Sequence, residues 1–295
     1  MLKPTKTWPV LELLNWTTEY LSKKGFENSK LNAERLLSHS LNFHRVDLYL
    51  NFDRPLSPEE LKRFKKFLKR RLRREPLQYI LGETEFMSLL FKVNPSVLIP
   101  RPETEILVDT VLNKSKEQFQ NKSTLSILDI GTGSGCIAVS LAKYLKKARI
   151  TALDVSDGAL ETAAENAHLN EVENKIHFFK ENFLDSQFSK NLSQKFDVVV
   201  SNPPYVSAED FVKLPEEVKY FEPTIALQDG KDGLTFYYKI AEFSLKSLNP
   251  VGFVAVEVSM GQASQVKEIF LNHQFSKITF FKDLNGNDRV IVCEY

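Results

Sequence analysis

The four residues Asn202-Pro203-Pro204-Tyr205 directly follow Val198-Val199-Val200-Ser201. Consecutive valines read as a buried strand. The prolines end it, because each lacks an N–H and fixes φ. The turn therefore falls at the carboxyl end of a strand, where open α/β sheets bind ligands. Asn202 offers a carbonyl acceptor and an NH₂ donor on one short side chain. Tyr205 offers a flat face and a hydroxyl. Held by a stiff proline corner, these parts suit gripping a planar amide or amino group and keeping its nitrogen still.

A second stretch, Asp129-Ile130-Gly131-Thr132-Gly133-Ser134-Gly135, follows another apolar run and opens a helix. Glycines let a backbone approach a ligand closely and adopt positive φ. Asp154 ends the next apolar run, about twenty residues on, where a carboxylate can accept both hydroxyls of a ribose. The spacing is Gly-x-Gly-x-Gly, with Cys136 where a pyrophosphate fingerprint has its third glycine. A P-loop lysine is missing too. A nucleoside ligand without a pyrophosphate fits better. S-adenosylmethionine is such a ligand, and its amino-acid end could meet the loop amides and Asp129.

The elements around these stretches alternate. Apolar runs at Ser126–Asp129, Arg149–Asp154, Lys175–Phe179, Phe196–Ser201 and Gly252–Val258 read as strands. Helical spacing fills Ile137–Leu145, Asp157–Leu169, Gly233–Leu248 and Gln262–Leu271. The chain closes with Ile278–Phe281 and Arg289–Cys293 around Asn285-Gly286, a hairpin signal. This pattern gives an α/β, doubly wound, mostly parallel sheet with a final antiparallel hairpin. His177, in front of two phenylalanines, reads as structural.

Upstream, residues from Val10 to Leu81 read as helices. Ser57-Pro58-Glu59-Glu60 is a helix start, with an N-cap, Pro at the first position and acids in the first turn. Leu61, Phe64, Phe67, Leu68 and Leu72 face inward on that helix. Lys62, Lys65, Lys66, Lys69, Arg70, Arg73 and Arg74 face outward, as a solvated face or a docking face for an acidic or nucleic-acid partner. Phe86, Leu90, Phe91 and Val93 suggest a small hairpin between two domains. The expected division is 1–82, a helical substrate-recognition domain, then 83–100, a hairpin linker, then 101–295, the catalytic domain.

Composition sets the class. The chain has 295 residues, 42% hydrophobic and 26% charged, enough for a sizeable core. A net charge of +1 gives the whole molecule no general attraction for nucleic acid. Cys136 and Cys293 match no disulfide framework or metal spacing, so no metal is expected and the compartment reads as a reducing cytoplasm. No apolar run approaches a membrane span. The first residues, Met1 to Trp8, lack the apolar core of a signal peptide.

With these motifs in place, the sequence resembles the class I S-adenosylmethionine-dependent methyltransferases that act on planar nitrogen. More narrowly it resembles the HemK/PrmC family, the peptide chain release factor glutamine methyltransferases. The resemblance rests on Pro76-Leu77-Gln78-Tyr79-Ile80-Leu81-Gly82 with Phe86, on Leu98-Ile99-Pro100-Arg101-Pro102-Glu103-Thr104-Glu105, and on Asp129 to Gly135. It continues through Asn202 to Tyr205, Glu222-Pro223, Ala226-Leu227, Asp232-Gly233-Leu234 and Asp283 to Val290. It implies a Rossmann-like, seven-stranded methyltransferase sheet with an N-terminal helical bundle. It also implies methyl transfer from S-adenosylmethionine to the glutamine side-chain nitrogen of a Gly-Gly-Gln motif in release factors, modulating translation termination and leaving S-adenosylhomocysteine. The residues alone leave an amino-methyltransferase for RNA or DNA bases as the alternative.

By the family's pattern, Gly131, Thr132, Gly133, Ser134, Gly135 and Asp154 contact the cofactor, with Asn202 at its methyl end. Asn182 and Phe183 lie by the adenine, where many relatives have Asp before an aromatic. Asn202, Pro203 and Tyr205 carry catalysis, and with Pro204 they bind the substrate amide. The partner is a release factor. No membrane and no stable nucleic-acid complex are expected, and the enzyme is taken as a monomer.

Overall fold

Apolar residues at helical spacing shape everything before Gly82. In this computed structural model, which describes residues 7–186, 188 and 194–295, the chain forms two units, Met1–Gly82 and Glu83–Tyr295. The signal-peptide reading therefore falls mostly on residues 1–6, outside the described residues.

In the first unit, α1 (Val10–Lys23), α2 (Ser29–Leu41) and α4 (Pro58–Leu72) bury Leu13, Leu14, Leu36, Leu37, Phe64 and Leu68 against one another. The helix start at Ser57 is where the residues put it. Ser57 Oγ accepts from the Glu60 N–H at 3.2 Å, and the Glu60 carboxylate accepts from the Ser57 N–H at 2.9 Å. That exchange is a capping box. Two short helices, α3 (Arg45–Leu50) and α5 (Leu77–Leu81), complete this unit.

The basic face of α4 needs correcting. Lys62, Lys65, Lys66, Lys69 and Arg73 are exposed. Arg70 instead pairs with Glu75, its Nε donating to Oε2 at 2.8 Å. Arg74 lies 4.1 Å from the Phe26 ring centroid and donates to the Lys24 carbonyl at 3.0 Å. Arginine stems cover apolar surface while their heads find acceptors, so these two fold back.

In the second unit, β1 (Glu83–Phe86) and β2 (Leu89–Lys92) form the expected hairpin. Met87 and Ser88 join them, both at positive φ, as a tight hairpin turn requires. The hairpin is bonded into this unit. The Lys92 N–H donates to Asn166 Oδ1 at 2.7 Å, and Asn166 Nδ2 donates to the Lys92 and Ser134 carbonyls at 3.0 and 2.9 Å.

Seven strands follow in the spatial order β5-β4-β3-β6-β7-β9-β8. Here β3 is Leu125–Ile130, β4 Ala148–Asp154, β5 Ile176–Lys180, β6 Phe196–Ser201 and β7 Leu248–Glu257. These five are parallel; β8 (Lys277–Lys282) and β9 (Asp288–Glu294) form the antiparallel hairpin. Its loop, residues 283–287, is longer than a two-residue Asn-Gly turn. Asp283 organises it, with Oδ1 accepting from the Asn285 and Asn287 N–H groups at 2.9 Å.

Helices α6 (Pro102–Gln118), α7 (Cys136–Tyr144) and α8 (Asp157–Leu169) cover one face of the sheet. On the other lie α12 (Thr235–Ser247) and α13 (Ala263–Asn272). Between β6 and α12 run three short helices, α9 (Ala208–Phe211), α10 (Glu216–Phe221) and α11 (Thr224–Leu227). No helix among the described residues is long and apolar enough to cross a membrane.

Candidate active site

The chain winds outward from β3 to β4 and β5, then returns to place β6 on the other side of β3. Such a reversal opens a crevice at the carboxyl ends of the two central strands. Parallel register pairs Ile130 with Ser201, so Gly131 and Asn202 leave the sheet side by side. Ser201 Oγ donates to the Ile130 carbonyl at 2.7 Å and locks the two ends together.

A cavity of about 300 Å³ lies there. Gly131, Gly133, Asp154, Asn182, Phe183, Asn202 and Pro204 line it. Gly131 and Gly133 have φ of +72° and +55°, and a Cβ on either would meet no protein atom within 4 Å. Backbone conformation therefore selects glycine at both. Asp154 is oriented by two backbone donors, Gly133 N–H at 2.9 Å and Ser156 N–H at 3.0 Å. Asn182 Oδ1 accepts from the Leu184 N–H at 3.0 Å, forming a local turn. The Phe183 ring meets Phe188 and Phe243 edge-on, so it serves as cavity wall and core at once.

Other predicted residues stand behind this lining. Gly135, at φ +78°, caps α7, and a Cβ would lie 3.0 Å from the Ala163 Cβ. Pro203 and Ser134 are buried. Thr132 Oγ1 donates to Asp129 Oδ2 at 2.7 Å. Asp129 itself is fully buried beneath the loop, not on the cavity wall where a ligand's amino group would meet it. Burial pushes its carboxyl up to about 7, against the Thr132 hydrogen bond, and the Asp154 charge adds to the rise.

That shift has a testable sign. An unfolded Asp loses its proton near 4, so between about 4 and 7 the folded state binds more protons and Asp129 costs increasing stability as pH rises. The urea midpoint of Asp129→Asn, taken relative to the parent, should climb with pH across this window. A constant offset would contradict it.

The Asn-Pro-Pro-Tyr corner is held from three sides. Asn202 Nδ2 donates to Thr104 Oγ1, on α6, at 3.1 Å. The Tyr205 carbonyl accepts from Gln262 Nε2 at 2.9 Å, and Gly233 packs against the Tyr205 backbone. The Tyr205 hydroxyl donates to Glu257 Oε1 at 3.3 Å. Burial raises that phenol well above its ordinary range, so Tyr205 stays neutral. Sequence reasoning missed Thr104 and Glu257 as site residues. The signals were an extra hydroxyl in the Arg-Pro-Glu-Thr-Glu segment and an acid ending an apolar strand.

One ion pair ties the walls together. Arg101 Nη2 meets Glu222 Oε1 at 2.6 Å, and Glu222 Oε2 accepts from the Ile99 N–H at 3.2 Å. Glu222 is almost fully buried, whereas Arg101 keeps 30% of its side chain exposed. Ser96, Val97 and Leu98, and Pro223, Ile225 and Ala226, close in sequence to the two partners, contribute lining. Arg101→Met would leave the carboxylate with one backbone donor. It should cost about 1–3 kcal/mol by urea unfolding and weaken S-adenosylmethionine binding about tenfold by calorimetry. Unchanged binding would show that the pair does not shape the cavity.

The strand order, the glycine loop at the switch point and the acidic end of β4 together define a Rossmann-like class I methyltransferase. The crystal structure of a methyltransferase from Pyrococcus furiosus shares this fold at a TM-score of 0.51 and 23% identity, over 70% of this chain and 89% of that one. The N-terminal domain of human METTL16 in complex with SAH does so at 0.50 and 16%, over 69% and 75%. Residues 12–82 match the PrmC N-terminal domain, and residues 104–216 the methyltransferase small domain.

At the level of sequence, a release factor glutamine methyltransferase of Geobacter sulfurreducens is 43% identical over 99% of this chain and 98% of its own length. One of Chlorobaculum tepidum is 38% identical over 98% of each. The chain belongs to the release factor glutamine methyltransferase family. Its cofactor is S-adenosylmethionine, and the residues present fit it: open backbone at Gly131 and Gly133, and an oriented acid at Asp154. Among the described residues no cluster of side chains could hold a metal ion.

Proposed function

We infer that this enzyme methylates the side-chain amide nitrogen of the glutamine in the Gly-Gly-Gln motif of peptide chain release factors. The observation that carries this reading is the position of Asn202. It lines the same cavity as the glycine loop, with its NH₂ engaged by Thr104. Its carbonyl Oδ1 is then the end left for a ligand.

An amide nitrogen is a poor nucleophile, because its lone pair is delocalised into the carbonyl. When bound, S-adenosylmethionine supplies a methyl group on a sulfonium, an already good leaving group. The protein's task is orientation, which can carry much of a barrier. Asn202 Oδ1 and the Pro203 carbonyl accept the two amide hydrogens of the substrate and turn its nitrogen toward the cofactor. Pro204 walls the cavity and Tyr205 braces the corner; as a neutral phenol, Tyr205 is no base. Gly131, Gly133 and Asp154 hold the cofactor, with Asn182 and Phe183 beside its adenine; Thr132, Ser134 and Gly135 shape the loop.

In this reading the unit of residues 1–82 recognises the release factor, and the enzyme works as a cytoplasmic monomer beside its substrate. The test is incubation with labelled S-adenosylmethionine and purified release factor, next to a version with Gly-Gly-Ala in place of Gly-Gly-Gln. Label should enter the first protein and not the second. Label in RNA or DNA instead would transfer the assignment to a nucleic-acid base.

A further inference from the structure

Glu257 has no part in the mechanism above, yet it is built into the same corner. Pairing of β6 with β7 sets Ser201 opposite Val256, so Asn202 and Glu257 are the next residues along neighbouring strands. Glu257 is 2% exposed. Oε1 accepts from Tyr205, and Oε2 is buried with no hydrogen bond of normal geometry to a described residue. Against burial, the nearby Thr104 hydroxyl pulls the carboxyl's pKa down, and Oε2 is the buried acceptor of this corner that its proton could reach. A threonine hydroxyl has one proton and two lone pairs. With a lone pair taken by Asn202 Nδ2, the proton is left for Glu257.

We propose that Glu257 is a positioning residue that acts through Thr104 to decide which end of the Asn202 amide faces the substrate. The reading rests on the role given to Asn202 above. Glu257 as carboxylate accepts the Thr104 O–H; Thr104 accepts the Asn202 N–H; Asn202 then presents Oδ1. If Glu257 instead donates, the Thr104 proton turns toward Asn202 and draws Oδ1 to itself. The NH₂ then faces the amide hydrogens of the substrate, donor against donor. The relay thus has one productive direction.

Proton occupancy should set that direction. Burial pushes the Glu257 carboxyl up to about 7, against hydrogen bonds from Thr104 and Tyr205. The charged and titratable groups around it are Arg101, Glu103, Cys136, Tyr205, Tyr237 and Arg289. Tyr205, Tyr237 and Cys136 all titrate far higher, so Glu257 is the group in this set that burial brings to neutrality. As pH rises through about 7 the carboxylate form grows, and kcat rises with it.

The test compares Glu257→Gln, Thr104→Val, Thr104→Ser and Asn202→Ala with the full-length parent, using release factor and S-adenosylmethionine. Glu257→Gln and Thr104→Val should each lower kcat by about 10–100-fold, with KM and cofactor Kd within about threefold. Thr104→Ser should recover most of the activity lost in Thr104→Val, and Glu257→Gln should lose the rising limb near pH 7. Parent-like kcat in both Glu257→Gln and Thr104→Val overturns the relay, as does a pH limb that survives in Glu257→Gln. Should Glu257→Gln not fold, the Thr104 pair decides alone: serine no better than valine overturns the relay. An inactive Asn202→Ala beside active relay variants removes the relay but leaves the site reading intact. An active Asn202→Ala removes both.

Discussion

Asn202→Ala should lower kcat by about 10³-fold while cofactor binding stays within about threefold. In the proposed reading the asparagine touches the substrate amide, and the cofactor is held by Gly131, Gly133 and Asp154, which line the same cavity. Truncation removes one of two acceptors that turn the nitrogen and leaves the other, a backbone carbonyl, in place. Orientation is most of what the site contributes, so loss of half the grip costs rate rather than affinity. Single-turnover methyl transfer, with calorimetry for the cofactor, separates the two. Near-normal turnover would end the role assigned to Asn202.

Gly233→Ala should be nearly as damaging without touching any ligand. Gly233 has φ +79°, and a Cβ there would lie 2.2 Å from the Tyr205 carbonyl oxygen and 2.8 Å from its carbon. Neither partner can retreat cheaply. Gln262 holds the Tyr205 carbonyl, and Asp229 holds the Gly233 N–H at 3.1 Å and the Thr235 N–H at 3.0 Å. The methyl must therefore push the Asn-Pro-Pro-Tyr corner off its seat. We expect at least a 100-fold loss of kcat and about 2–4 kcal/mol of stability. Gly230→Ala is the control. Its φ of +76° is also strained, but open space surrounds it. It should cost about 1 kcal/mol and keep its activity. Equal damage from both would mean that strain, not contact with Tyr205, explains the effect.

Much of this arrangement could be read from residue order. The strand–glycine-loop–helix unit, Asp154 and the proline corner obey local rules. Apolar runs mark strands, prolines end them, and glycines take positive φ. The sheet's switch point then brings loop and corner together, as it must for any chain wound this way. The parts that escaped reading depend on register between distant segments. Thr104 looked like one more polar residue at a helix start, and Glu257 like the end of a strand. Nothing local says that Thr104, which accepts from Asn202, also acts on the Glu257 carboxyl. Residues 206–232 hold helices of only 4, 6 and 4 residues, too short to show a period. Arg70 and Arg74 counted as surface charge by spacing, but an aromatic ring and backbone carbonyls lay within their reach.

The cavity wall is assembled from segments scattered between Ser96 and Phe236, with the Arg101–Glu222 pair as a late clasp. A ribosome making this chain releases those pieces in sequence at roughly 5–20 residues per second. A nascent chain halted before Pro223 lacks Pro223, Ile225, Ala226, Gln228, Asp229 and Phe236 of that wall. Prematurely terminated fragments should therefore be inert toward S-adenosylmethionine, and cannot compete with finished enzyme for it.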